Sequence, residues 1–150
     1  MAKEGLFNIL RNHYDFEGLK VLDLFAGIGS ISYEFASRDA AEVQSVELNP
    51  RCVSFISQTI RKLNLTNLFV IRANAFTFLR KSSKKFDIIF ADPPYDLEGI
   101  ETIPDLVFEN DLLEKDGWLI VEHSVSTIFE GHPKLDQHRK YGKVNFSMFS

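Results

Sequence analysis

The sequence predicts an α/β domain built on a mostly parallel β-sheet with helices on both faces. Short apolar runs alternate with segments of helical period, and runs of this length suit strands that are covered on both sides. Repeated strand–helix–strand order implies right-handed crossovers and a doubly wound sheet. Because 150 residues, 45% of them hydrophobic and 25% charged, are typical of one globular domain, we expect a single domain over residues 1–150.

The elements are predicted in chain order from these patterns. Helices are expected at 6–10 and 31–36, and a third begins at Asn49-Pro50, an N-cap followed by a first-turn proline. In this third helix apolar residues recur at spacings of three and four from Val53 to Leu63. Parallel strands are expected at 21–24, 42–47, 68–72, 86–91 and 118–122.

The C-terminal part of the chain has a different pattern. Residues 135–141 and 144–149 flank Gly142-Lys143, which is typical of a two-residue hairpin turn. The sheet is therefore expected to contain seven strands, the last of them antiparallel to its neighbour. Around Leu112, Leu113 and Trp118, which we expect in the core, the acidic residues are expected to form a solvated helix face.

Composition excludes several classes of protein. The one cysteine, Cys52, allows no internal disulfide and no multi-cysteine metal site, and the four histidines lack ligand spacing, so no metal is expected. No apolar run approaches the roughly 20 residues that span a bilayer, and the N-terminus lacks a signal-peptide pattern. We therefore expect a cytoplasmic protein without membrane contact. Basic residues cluster at 72–85 and 134–143, either as solvated surface charge or as patches for a polyanion.

A glycine loop follows the first predicted strand. Gly27 and Gly29 let the backbone turn sharply and approach a ligand, and Glu47, 20 positions after Gly27, can accept the hydroxyls of a ribose. The dinucleotide fingerprint would need glycine or alanine where Ser32 stands. Asp23 repels phosphate and attracts an ammonium group, such as the amino-acid end of S-adenosylmethionine, so the pattern favours that cofactor. After the third strand, Asn74 can bond an adenine edge and Phe76 can pack on the ring.

The most specific motif is Asp92-Pro93-Pro94-Tyr95, directly after the fourth strand. Two prolines make a rigid turn, and open α/β sheets bind ligands at this end of their strands. The carboxylate of Asp92 and the carbonyl of Pro93 can each accept one hydrogen of an exocyclic amine, while Tyr95 stacks on the base. The negative charge of Asp92 then stabilises the amine as it becomes cationic during direct methyl transfer.

These motifs resemble the class I S-adenosylmethionine-dependent methyltransferases that act on an exocyclic amine. More narrowly, the residues 3–10 (KEGLFNIL), 23–27 (DLFAG), 139–142 (RKYG) and 146–149 (FSMF) are similar to the RsmD family, which methylates guanine N2 in 16S ribosomal RNA. The resemblance implies a Rossmann-like class I methyltransferase fold, S-adenosylmethionine as cofactor, ribosomal RNA, within a small-subunit particle, as partner, and a monomer. The family has aspartate at the position of Asn74, and its basic N-terminal hairpin segment is expected to be missing from this sequence.

The resemblance, with the loop chemistry above, gives a set of candidate site residues. The catalytic residues would be Asp92, Pro93, Pro94 and Tyr95. The cofactor-binding residues would be Asp23, Phe25, Ala26, Gly27, Gly29, Ser30, Glu47, Leu48, Asn74, Ala75, Phe76 and Asp92. No metal ligand is expected.

Four other functions remain open on the sequence alone. The same turn, usually with asparagine first, serves adenine N6 methylation of DNA or RNA and the methylation of glutamine amides in proteins. A nicotinamide oxidoreductase would use the glycine loop differently, and a non-catalytic RNA-binding domain would need no turn chemistry. By the resemblance, the aspartate at position 92 favours guanine N2.

Overall fold

A computed structural model describes residues 2–150 and contains one seven-stranded sheet with helices on both faces. The strands are β1 (Lys20–Leu24), β2 (Glu42–Glu47), β3 (Leu68–Arg72), β4 (Phe86–Ala91), β5 (Leu113–His123), β6 (Leu135–Tyr141) and β7 (Val144–Phe149). The helices are α1 (Ala2–His13), α2 (Ser30–Ser37), α3 (Pro50–Leu63), α4 (Ala75–Lys81) and α5 (Ile103–Glu109), which a short 3₁₀ turn (Ile100–Thr102) precedes.

The strand order is β3-β2-β1-β4-β5-β7-β6, and β1 to β5 are all parallel. The chain runs outward from β1 through β2 to β3 and then returns to the other side of β1 for β4. The crevice between β1 and β4 is therefore the point where the winding reverses, and ligands bind outside the carboxyl ends of the strands at such points. β7 lies antiparallel to both β5 and β6, as the hairpin pattern predicts.

Two apolar clusters hold the layers together, one on each face of the sheet. Alternate residues of a strand point to opposite faces, so Val21 of β1 packs in one cluster and Leu22 in the other. Helices α1 and α2 contribute to the first cluster, while α4 and α5 contribute to the second. Because both faces are covered, the central strands are almost wholly buried.

The sequence-based boundaries agree closely with the structure. β2, β3, β4, β6 and β7 have the predicted ends, and α3 begins at Pro50, where the side chain of Asn49 accepts the Arg51 amide at 2.9 Å. The seven-stranded mixed sheet is confirmed. Helix α4 and the bounds of α5 come from the structure alone.

The expectation for the segment before Trp118 is wrong. Helix α5 ends at Glu109, and β5 already begins at Leu113, so residues 113–117 are strand rather than a solvated helix face. The register between β4 and β5 shifts between Phe86 and Ile88, which marks a bulge. Gly117 lies at this bulge, where a Cβ atom would stand 2.9 Å from the carbonyl oxygen of Asp87.

No helix within residues 2–150 combines the length and the apolar composition that crossing a bilayer requires. Within the same residues no group of three or more His, Cys, Asp or Glu side chains is placed to hold a metal ion.

Candidate active site

A cleft of about 620 Å³ opens at the carboxyl ends of the central strands, a volume within the usual range for small-molecule sites. Its walls come from the last residues of β2 and β5, from the loops that follow β1, β2, β3 and β4, and from the start of α4. They are formed by Phe25, Gly27, Val46, Glu47, Leu48, Ala73, Asn74, Ala75, Phe76, Asp92, Pro93, Pro94, Tyr95, Leu97 and Glu122.

The loop after β1 contains two residues with left-handed backbone conformation. Phe25 and Gly27 both have positive φ, 58° and 60°, a region that costs a residue with a side chain about 1 kcal/mol or more. A Cβ atom on Gly27 would meet no atom within 4 Å, so the backbone there faces open space in the cleft. The loop thus presents bare main chain to a ligand.

Glu47 stands at the end of β2 and ties this loop to the next one. Its Oε1 accepts the Gly27 amide at 2.8 Å, and its Oε2 accepts the amides of Leu48 at 3.0 Å and Asn49 at 2.9 Å. A carboxylate has about four acceptor sites, so one remains available to the cleft after these three bonds. The side chain is therefore held in one orientation with an unused acceptor.

The wall beyond β3 is largely apolar. Asn74 caps α4 through its Oδ1, which accepts the amides of Phe76 at 2.9 Å and Thr77 at 3.2 Å. This capping leaves the Nδ2 group of Asn74 as a donor. The rings of Phe76 and Phe25 meet edge to face at 6.1 Å, and the side chain of Leu48 is 55% exposed beside them.

The turn 92–95 forms the opposite wall. The Pro94 carbonyl accepts the Leu97 amide at 3.0 Å, whereas the Pro93 carbonyl accepts no hydrogen bond from residues 2–150. Tyr95 is half exposed, and burial of its hydroxyl, with the nearby Glu122 and Asp92, raises its pKa. A carbonyl without a partner in residues 2–150, a carboxylate and an accessible aromatic ring therefore line the same part of the cleft.

Glu122 is a site residue that the sequence patterns did not single out. Ala91 and Val121 are register partners in β4 and β5, so the next residues, Asp92 and Glu122, are neighbours at the carboxyl edge. Their carboxyl groups are close enough for each to shift the pKa of the other. A search for acids following register-matched strands would have found the pair.

The pair holds its protons more tightly than free carboxyl groups do. Burial, followed by the charge and hydrogen bond of Asp92, raises the pKa of Glu122 to about 7. Burial also raises the pKa of Asp92, while the hydrogen bond from Glu122 opposes that rise. Asp92 is exposed in the open cleft, whereas Glu122 is partly buried. The two carboxyl groups therefore titrate as a pair that keeps a proton to higher pH than free carboxyl groups do.

Asp23 lies behind the cleft surface. Its side chain is fully buried, and its Oδ2 accepts the Ser32 hydroxyl at 2.6 Å. The Ser32 hydroxyl in turn lies 2.6 Å from the Ser45 hydroxyl. Burial is the main cause that raises the pKa of Asp23 to about 7, and the charges of Asp92 and Glu47 add to it.

The remaining sequence-based candidates divide into two groups. All four residues 92–95 line the cleft, with Phe25, Gly27, Glu47, Leu48, Asn74, Ala75 and Phe76. Asp23, Ala26, Gly29 and Ser30 do not form part of its walls, and Ser30 accepts the Lys3 ammonium at 3.1 Å. His123 points away from this cleft, with its Nε2 2.7 Å from the Ser147 hydroxyl.

Comparison with known proteins gives a consistent set of relatives. The family model described as "Conserved hypothetical protein 95" matches residues 1–150. Ribosomal RNA small subunit methyltransferase D from Buchnera aphidicola (subspecies Baizongia pistaciae) is 29% identical over 151 residues, covering 98% of this chain and 76% of the relative. The protein of that name from Haemophilus influenzae is 31% identical over 125 residues, 81% of this chain and 64% of the relative.

The structural neighbours agree with the sequence relatives. A solved structure from Escherichia coli, provisionally named a methyltransferase, superposes with a TM-score of 0.87 at 27% identity, over 98% of this chain and 84% of that one. The Rossmann-like class I methyltransferase fold is thereby confirmed. The chain belongs to the family described as "Conserved hypothetical protein 95", the RsmD family of methyltransferases.

Proposed function

We propose that this protein is an S-adenosylmethionine-dependent methyltransferase that methylates the exocyclic N2 of a guanine in 16S ribosomal RNA. The observation that carries the proposal is the convergence of the turn 92–95 and Glu47 on one cleft at the switch point of the sheet. Relatives named as ribosomal RNA methyltransferases support RNA as the substrate. We also propose that residues 1–150 act as one domain, because a single sheet runs through them.

The cleft walls suit the chemistry of the cofactor. The unused acceptor of Glu47 fits ribose hydroxyls, and the bare backbone at Gly27 leaves room for the methionine part. Leu48 and Phe76 offer apolar surfaces to an adenine ring, and the Nδ2 group of Asn74 can donate to its edge. When bound, S-adenosylmethionine supplies an electrophilic methyl group whose bonding electron pair stays on sulfur after transfer.

The turn 92–95 is suited to hold the accepting amine. The carboxylate of Asp92 and the unpaired carbonyl of Pro93 accept its two hydrogens, and Tyr95 covers the face of the base. This arrangement keeps the nitrogen lone pair directed into the cleft. As the nitrogen forms its bond to carbon it gains positive charge, which Asp92 stabilises in a partly water-free site.

A proton must leave the nitrogen after the transfer. The Asp92 carboxylate is placed to take it, because in this proposal it already accepts one hydrogen of the amine. Glu122 beside it, with a pKa raised to about 7, can take part in the transfer. From the open cleft the proton passes to water. No covalent bond between protein and substrate is required.

A nicotinamide cofactor fits this site less well. Asp92 and Glu122 line the cleft, with Asp23 buried behind it, and within residues 2–150 no lysine or arginine is paired with any of the three to offset their repulsion of phosphate groups. The Ser32 hydroxyl is committed to Asp23, where the dinucleotide fingerprint needs glycine or alanine.

The test is transfer of a radiolabelled methyl group to small-subunit particles or ribosomal RNA that lack the modification, with the modified base identified by nucleoside analysis. We expect methylated guanine from the wild-type protein, and a loss of about 100-fold or more for Asp92→Ala, because the developing positive charge loses its partner. Affinity for S-adenosylhomocysteine should stay within a few-fold of wild type. Glu109→Ala, an exposed acid at the far end of α5, is the matched control and should retain full activity.

Two results would contradict this proposal. Methylated adenine or glutamine as the product would assign the turn to another planar amine. Unchanged transfer by Asp92→Ala would remove the role given to the carboxylate.

A further inference from the structure

Two carboxyl groups, rather than one, face the place proposed for the base. Along β1, β4 and β5 the side chains alternate between the two apolar clusters, and Phe90 and Ile120 point to the same face. Two residues further along the chain, Glu122 lies near the end of β5 and Asp92 directly follows β4, so the two are neighbours at the carboxyl edge. Both line the cleft, next to Pro93 and Tyr95.

A single carboxylate and the Pro93 carbonyl already satisfy both hydrogens of an exocyclic amine. Glu122 therefore offers an acceptor that the amine itself does not need. Glu122 is the neighbour of Asp92 and lines the same cleft, so a base held by Asp92 and Pro93 can bring the ring atom next to its amine beside Glu122. What that ring atom carries decides whether the contact is favourable.

The common bases differ at that atom. In guanine, N1 lies beside the 2-amino group on the Watson–Crick edge and carries a hydrogen, so these two neighbouring groups are both donors. In adenine and cytosine the ring nitrogen beside the amino group is an acceptor. An acceptor that faces another acceptor, with no water between them, leaves both groups unpaired and weakens binding.

From this juxtaposition we propose that Glu122 is a specificity residue that selects guanine, by accepting the N1 hydrogen while Asp92 and Pro93 hold the 2-amino group. The inference rests on the proposed function and extends it to the choice of base. In the protonated form of Glu122, the hydroxyl donates to Asp92 and the carbonyl oxygen accepts from N1. The raised pKa of Glu122, about 7, is consistent with that arrangement.

The protonated form also explains how two acids stand together without a cation. One hydrogen between them removes most of the repulsion, and each of the two carboxyl groups keeps an oxygen directed at the substrate. A base whose ring nitrogen is an acceptor would have to turn the Glu122 hydroxyl toward itself. That turn would break the bond to Asp92 and leave the carboxylate that the reaction needs without its donor.

The experiment compares two RNA substrates that differ at the methylated position, once that position has been mapped. One carries guanine and the other carries 2-aminopurine, which keeps the 2-amino group but has an acceptor at N1. The ratio of kcat/KM for guanine over 2-aminopurine is measured for wild type, Glu122→Leu, Glu122→Gln and the control Glu109→Gln. Affinity for S-adenosylhomocysteine and the circular dichroism spectrum report the folding of each variant.

We expect the wild-type ratio to be at least about tenfold. Glu122→Leu, which cannot accept a hydrogen, should reduce the ratio to near one. Glu122→Gln should keep it, because an amide can donate to Asp92 and accept from N1 as the protonated acid does. Glu109→Gln should match wild type.

A wild-type ratio near one would overturn the inference without any variant, and so would an unchanged ratio in a folded Glu122→Leu protein. In either case transfer to guanine would persist and the proposed function would stand. If the wild-type protein methylated neither RNA, nor the natural particle, the proposed function would fail instead.

Discussion

Acidic side chains have different partners at the two ends of the central strands. At the amino ends, carboxylates are paired with lysines: Glu114 with Lys20, Glu42 with Lys84 and Asp111 with Lys85. These pairs are partly or largely exposed, and ion pairs of this kind contribute little to stability.

At the carboxyl ends no cation within residues 2–150 pairs with an acid. Glu47 is held by three backbone amides and Asp23 by the Ser32 hydroxyl, while Asp92 and Glu122 lie next to each other. Burial raises the pKa of Asp23 and of Glu122 to about 7. Within residues 2–150, the carboxyl groups whose pKa is raised therefore all lie along the edge that carries the cleft.

This difference in the partners of the acids indicates which end of the sheet is suited to bind a ligand. A buried acid that its own chain leaves without a countercharge is costly to ionise, and strongly shifted acids concentrate at functional sites. The same end also holds the strained backbone at Phe25. The lysines of the 72–85 cluster that the structure pairs, Lys84 and Lys85, lie at the other end and are neutralised there.

The largest effect expected from this comparison of the two strand ends is on the pH dependence of stability, and it comes from Asp23. Because the folded protein raises this pKa from 3.8 to about 7, the carboxyl group is fully tolerated below about pH 4 and penalised as pH rises toward 7. We expect the unfolding free energy of wild type, measured relative to Asp23→Asn by urea denaturation, to fall by about 3 kcal/mol between pH 4 and pH 7.5. If the difference in unfolding free energy between wild type and Asp23→Asn stayed constant across that pH range, Asp23 would not be held in an unfavourable environment.

The second prediction concerns binding at Glu47. Glu47→Ala should weaken the binding of S-adenosylhomocysteine, measured by calorimetry, by about 1–3 kcal/mol, because the ligand hydroxyls lose their acceptor. The variant also leaves three amides without their partner, so its melting temperature must be recorded beside wild type. If the folded variant binds with unaltered affinity, the ribose lies elsewhere.

The smallest effect is expected at the amino ends. Lys84→Met removes the partner of Glu42 and should change the unfolding free energy by about 1 kcal/mol or less, since both side chains are partly exposed. Methyl transfer should be unchanged. A large loss of activity would show that both ends of the sheet contribute to function.

Much of the fold was predictable because strand runs and turn residues are local signals. The hairpin at Gly142-Lys143 and the cap at Asn49-Pro50 each specify their structure within a few residues. The early start of β5 was not predictable, because the bulge at Gly117 depends on the neighbouring β4 and on a close backbone approach. Acidic residues in that segment resemble an exposed helix when they are considered alone.

The candidate site was predictable to the extent that its residues belong to motifs. Residues 92–95 and Glu47 line one cleft because each follows a strand that ends at the same edge. Glu122 belongs to no motif, and its importance depends on which strand lies beside β4. The burial of Asp23 behind the loop likewise depends on Ser32 and Ser45, which come from other elements.

A crystal structure grown with S-adenosylhomocysteine tests the location of the chemistry most directly. We predict ligand density in the cleft, with ribose hydroxyls at Glu47 and the sulfur directed toward Asp92 and Tyr95. Density at any other place, or an empty cleft at saturating ligand, would contradict the assignment of the carboxyl ends as the site of methyl transfer.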